Sequence, residues 1–193
     1  MGRRGILGAM NTPEPVTPAT DVVRFWREAG PQAWFKKDES FDADFRSRFA
    51  AAHEAAARGE LAAWARTAEG ALALLILLDQ SPRNSFRGTA RMFATDAQAR
   101  AVAHAAVDAG LDQQTDPELR NFFYLPFMHS EQLADQDRAL ALCTALGPNA
   151  QHHASVHRDI ILRFGRFPHR NAVLGRATTA QEQAFLDEGG FAG

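Results

Sequence analysis

The residues of this sequence with the clearest capacity for chemistry gather in three stretches. Asp79, Arg83, Asn84, Arg87 and Arg91 lie in the polar second half of Ala71–Asp96. His129 and Glu131 close Phe122–Glu131, FFYLPFMHSE. Arg166, His169, Arg170 and Asn171 lie in Arg163–Arg176, with His157 on the run before them. Arginine suits a two-pronged grip on carboxylate or phosphate. Arg83, Arg87 and Arg91 recur every four residues and share one face where the chain is helical. Asp79 falls in the last turn of an apolar run, where an acid opposes the helix dipole and needs a partner. Arg83 and Arg87 are nearest. The pair reads either as a pin for the turn or as a carboxylate orienting an arginine for a ligand. Asn84 reads first as a turn residue. His129 and Glu131 flank Ser130, read here as the cap of a helix whose N-terminus favours anions. A His beside a Glu has the means for acid–base work, and Glu131 reads equally as a favourable first-turn charge. The three stretches are expected to meet at one site.

Other chemistry is less well supported. His153 and His157 stand four apart, a metal-ligand spacing, yet no third ligand follows at a fixed offset and no HExxH occurs. The expectation is no metal, no cofactor, and histidines that belong to a core or pocket. Cys143 is the only cysteine, so no internal disulfide forms, and its alanine-rich helical setting reads as packing. From His157 to Arg176 five arginines face one acid, while from Leu111 to Arg138 six acids face two arginines. These regions either neutralise each other or build an anion pocket whose acids orient its arginines. A net charge of -2 argues against a nucleic-acid partner.

The elements that must position these residues read as helices. Alanine is abundant, no run alternates with period two, and no Asn-Gly or Asp-Gly hairpin signal occurs. Residues 1–20 read as a disordered leader and 21–193 as one all-α domain of about seven or eight helices. Helices are expected over Asp21–Glu28, Phe41–Arg58, Ala68–Gln80, Ala97–Ala109, a run from Pro117 to Pro126, Glu131–Leu146, Asn149–Phe164 and Ala180–Asp187. Pro82 is expected to end the central apolar helix, since the residue before a proline avoids the helical region. Asp96, Asp116 and Ser130 are read as caps, and Thr179 with Glu182 as a capping box. The Ala71–Leu78 window is far shorter than a bilayer span, so no membrane partner and a cytoplasmic location are expected.

Four runs carry a resemblance: VVRFWREAGPQAWFKKDESFD at 22–42, LLDQSPRNSFRGTARMFATD at 77–96, FFYLPFMHSEQLADQDRAL at 122–140 and HRDIILRFGRFPHRNAVLGR at 157–176. Together they resemble the bacterial DUF924 proteins over about Asp21 to Leu186. The resemblance implies an all-helical fold similar to the tetratricopeptide-like superfamily and supplies no activity, substrate or cofactor. Ser81 departs from the phenylalanine usual in that family's DQFPRN motif, and Ser85 from an aliphatic residue. Two functions are therefore expected as alternatives. One is an Arg/His-lined pocket for a small anionic ligand, its catalytic status open. The other is a helical scaffold that grips a peptide or protein.

Overall fold

Each helix of this chain is set by its own local chemistry. The computed structural model describes residues 16–191. Helix α1 (Ala19–Ala29) follows Pro18 and buries Val22, Val23 and Trp26. It begins inside the stretch expected to be leader; residues 1–15 of that expectation lie outside the described residues. Helix α2 (Pro31–Trp34) is a single turn that sends Trp34 inward to donate to the Trp26 carbonyl at 2.6 Å. Phe35, the next residue, stays 63% exposed. Helix α3 (Glu39–Ala57) is capped by Asp38, which accepts from the Ser40 and Phe41 amides. Its Phe45, Phe49 and Ala52 face inward with helical spacing.

Helix α4 (Ala68–Leu75), capped by Thr67, opens the central rod. Ala71 to Leu78 are each at most 3% exposed, as an all-apolar helix requires when it is surrounded by others. Gly70 lets the 62–66 turn cross closely: a Cβ there would lie 2.1 Å from the Trp64 carbonyl oxygen. Contacts to α1, α6 and α7 surround the rod.

Pro82 does not end the rod. A wide π turn (Ile76–Gln80) carries it into helix α5 (Ser81–Ser85). The Ser81 amide reaches back to the Ile76 carbonyl, one residue beyond the α-helical partner. That frees the Leu77 carbonyl, and the missing N–H of Pro82 frees that of Leu78. His53 Nδ1 bonds the first at 2.8 Å and the Thr95 hydroxyl donates to the second at 2.5 Å. The expected stop fails because two side chains from elsewhere replace the lost backbone bonds.

Two expected caps are also reassigned, and a third, Asp116, keeps the N-cap position without a side-chain capping bond. Asp96 is the first residue of helix α6 (Asp96–Asp108), makes no capping bond and is held by arginines. Asp116 stands at the N-terminus of α7 (Pro117–Met128) but gives its carboxylate to Arg27 at 2.8 Å. Helix α8 (Leu133–Leu146) starts later than expected, and Ser130 donates to Asp135 in the turn before it. Gly147, at φ 124, alone links α8 to α9 (Pro148–Phe164). Helix α10 (Ala180–Asp187) has the expected capping box from Thr179 and Glu182. With the α4–α5 rod taken as one, the described residues form nine helices and no strand.

Candidate functional site

The π turn, the α7–α8 turn and the segment after α9 enclose a cavity of about 490 Å³. That size suits a small molecule. Arg83, Asn84, Arg87, His129, His157, His169 and Arg170 line it, so residues from all three sequence stretches meet there. Trp34, Phe35, Met92, Phe93, Leu125, Met128, Phe167 and Phe191 supply apolar wall. Gln80, Asn121, Asn149 and His153 add polar edges.

The remaining candidates lie elsewhere. Asp79 sits beneath the cavity, 1% exposed. Arg91 pairs with Glu54 and covers the Phe86 ring, away from the site. Glu131 is gripped twice by Arg176, at 2.8 and 3.0 Å, and accepts from the Phe167 amide. Arg166 holds Glu182 at 2.6 and 2.8 Å. Asn171 is fully buried against Glu182 and Arg176. These residues shape the C-terminal segment that presents His169 and Arg170. The expected His129–Glu131 partnership at a helix N-terminus is replaced, since His129 ends α7 and turns to Asp79.

The polar heart is a network around two carboxylates. Asp79 takes His129 Nδ1 at 2.8 Å, Gln80 at 2.7 Å and Arg83 at 3.1 Å. Arg83 grips Asp96 with two nitrogens, at 2.8 and 3.0 Å. Arg170 adds a contact to Asp96 at 3.3 Å and donates to the His129 carbonyl at 2.9 Å. Its guanidinium lies between the Phe93 and Phe167 rings, 4.4 and 4.6 Å from their centroids. Gln136, fully buried, donates to the Met128 and Ser130 carbonyls and fixes the turn that carries His129.

Burial works to raise the pKa of Asp79, but the charge of Arg83 and the hydrogen bonds from His129 and Gln80 outweigh it. Its carboxyl is held well below the usual range. His129 is lowered by burial and by Arg83. An ionised Asp79 beside a neutral His129 places the imidazole proton on Nδ1. Nε2 makes no hydrogen bond among the described residues and belongs to a ring that lines the cavity. His157 donates Nδ1–H to the His153 carbonyl at 2.8 Å, and burial drops its pKa to about 4. His169 is likewise lowered to about 4 by burial, and its Nδ1 is buried without a partner. Arg170 falls to about 10 through burial and the charge of Arg83.

Among the described residues no Asp or Glu lines the cavity, and neither does Ser, Thr, Cys, Tyr or Lys. Cys143 is fully buried, and its thiol is pushed up to about 11. His153 was expected on the buried face of α9 and is instead exposed. Among the described residues no group of three His, Cys, Asp or Glu side chains is placed to hold a metal ion. None of their helices is long and apolar enough to cross a membrane. Sequence reasoning missed Asp96 and Gln136. One was read as a cap, and the other carried no signal beyond its place in the Phe122–Leu140 run.

Comparison with known proteins finds a family model and a solved structure similar to this chain. The family model described as "Bacterial protein of unknown function (DUF924)" matches residues 22–190. A solved structure, that of the protein of unknown function ATU0120 from Agrobacterium tumefaciens, is 55% identical. Its match covers 88% of this chain and 97% of that one, with a TM-score of 0.86. A search of curated proteins finds no match.

Proposed function

The chain belongs to the DUF924 family, and we propose that its central cavity binds a small ligand with a carboxylate or phosphate head and an apolar body. The observation that carries this reading is one of orientation. Three arginines turn their side chains to the cavity while their carboxylate partners, Asp79, Asp96 and Asp42, stay behind them. Formal charge is balanced, but each pair presents its positive end. Fixed dipoles of one sign favour an anion even where net charge cancels. Arg87 is the arginine with most capacity left, 38% exposed and bound to Asp42 at 3.1 Å. The aromatic and methionine wall suits an apolar body, and the protein is read as acting in the cytoplasm.

A thermal-shift screen of carboxylated and phosphorylated metabolites tests this. A true ligand at a hundredfold excess over its dissociation constant adds about 2.7 kcal/mol. Arg87→Ala should weaken every hit, with the protein still folded by circular dichroism. A screen without hits would sink the reading. Phe35, exposed on the cavity wall, favours a second reading, a peptide-gripping scaffold of the tetratricopeptide-like kind. Retention of a peptide that Phe35→Ala abolishes, with no small-anion hits, would select it.

A further inference from the structure

We infer that the cavity is catalytic: His129, set by Asp79, is the general base that activates water against an ester bearing an anionic group. This rests on the anion-binding reading and adds a reaction to it. Four observations combine. The Asp79 carboxylate is buried and held by two hydrogen bonds and an ion pair with Arg83, one of the hydrogen bonds going to His129 Nδ1. The His129 backbone is fixed as well, its carbonyl taken by Arg170. Its ring lines the cavity, and among the described residues its Nε2 has no hydrogen-bond partner. Finally, among the described residues the lining offers no hydroxyl, thiol, amine or carboxylate, and we take water as the attacking group.

The step balances without any further reactant. Nε2 takes a proton from water as the water oxygen attacks the ester carbonyl carbon, and the carbonyl π electrons move to its oxygen. Asp79 stabilises the imidazolium and holds its orientation. Arg87 and the Asn121 and Asn149 side-chain amides line the cavity and are the donors available to the developing oxyanion. Collapse restores the carbonyl and expels the alkoxide, which recovers the proton from Nε2. Ester and water give acid and alcohol. His129 touches the reacting water and is the catalytic residue; Asp79 acts through it and is a positioning residue.

The test uses the full chain with 4-nitrophenyl hemisuccinate, and 4-nitrophenyl acetate as the neutral comparator. Wild type should release nitrophenol from the hemisuccinate in preference to the acetate. His129→Asn should lower kcat on the order of 10²–10⁴-fold. Asp79→Asn should lower kcat with KM little changed, and should move the acid limb of the pH profile. Circular dichroism checks the fold of both variants. Should they fail to fold, wild type alone decides: general-base attack by water predicts a slower kcat in D2O and a single acid limb below pH 6.5. Succinate binding, read by thermal shift, separates the two proposals. Succinate that binds while the hemisuccinate is not hydrolysed overturns the base and leaves the anion site standing. Equal hydrolysis of both esters, lost in His129→Asn, supports the base and removes the anion site. No hydrolysis and no binding overturns both.

Discussion

At the scale of residues, the site is a set of side chains whose ordinary chemistry has been moved by burial. His157 is 8% exposed and its pKa falls from 6.5 to about 4. In the unfolded chain it accepts a proton as the pH drops through 6.5, while in the folded chain it resists until about 4. The unfolded state therefore binds more protons across that window, and stability must decline as the pH falls through it. A shift of that size corresponds to roughly 3 kcal/mol. His169 acts in the same direction, with less effect because it is partly exposed. Asp79 is lowered instead, so its contribution holds through this window and is lost only below the usual carboxylate range. Urea unfolding at pH 7, 5.5 and 4.5 should show the decline, and His157→Gln should flatten part of it. A second residue-level expectation contrasts two arginine partners. Asp96→Asn leaves Arg83 and Arg170 facing each other without their shared carboxylate, at a cost of about 3 kcal/mol. Arg87→Ala removes a single contact made by a 38% exposed arginine but leaves the buried Asp42 carboxylate without it, and should cost less than Asp96→Asn, about 1–2 kcal/mol. Equal losses in the two variants would refute this division between a wired pair and an available arginine.

At the scale of elements, the π turn decides where the chemistry stands. It inserts one residue into the central rod, so Asp79 faces His129 and Gln80 lines the cavity. A regular α-helix would have rotated both away by about 100° per residue. The turn persists because its freed carbonyls are answered from α3 by His53 and from the start of α6 by Thr95. Thr95→Val keeps the shape of the side chain and removes the donor. The Leu78 carbonyl would then be buried without a partner, at a cost of about 1–3 kcal/mol. The loss should exceed that of Thr144→Val, whose hydroxyl donates to Leu140 on the exposed face of α8. Denaturant midpoints with unchanged slopes would confirm it. The same variant should also weaken anion binding, because the turn positions Gln80 and the base of Arg83. A change in stability alone would mean that the turn is only a structural repair around Pro82.

At the scale of the whole molecule, composition and periodicity made the all-α architecture legible, since burial of Ala71–Leu78 follows from their type alone. The convergence of Arg83, His129 and Arg170 could be read from three stretches sharing one vocabulary of turn residues and arginines. Pairings were not legible, because carboxylates and arginines are interchangeable until the fold selects partners. Thus Asp96 was taken for a cap and Glu131 for a site acid. Pro82 misled for a related reason: the donor that replaces its N–H comes from Thr95, thirteen residues on, and no local rule contains it. The wall of the cavity from the far end of the described chain was equally invisible. Phe191 follows Gly189 and Gly190 and sets its ring 4.5 Å from that of His157 and 5.3 Å from that of His169. It occupies space next to the two imidazoles while joining the small Ile160–Ile161–Phe167 cluster. Removing the ring with Phe191→Ala enlarges the cavity at its histidine end and leaves the main core untouched. The cost to folding should be modest, about 1–2 kcal/mol, because Phe191 is only partly buried. Ligands with short bodies should bind more weakly through lost apolar contact, and ligands with longer bodies should gain. Titration of a homologous series of monocarboxylates against both proteins measures the crossover. A uniform loss at every chain length would mean that Phe191 is only wall, and an unchanged series would place the bound body at the Trp34–Phe35 end of the cavity.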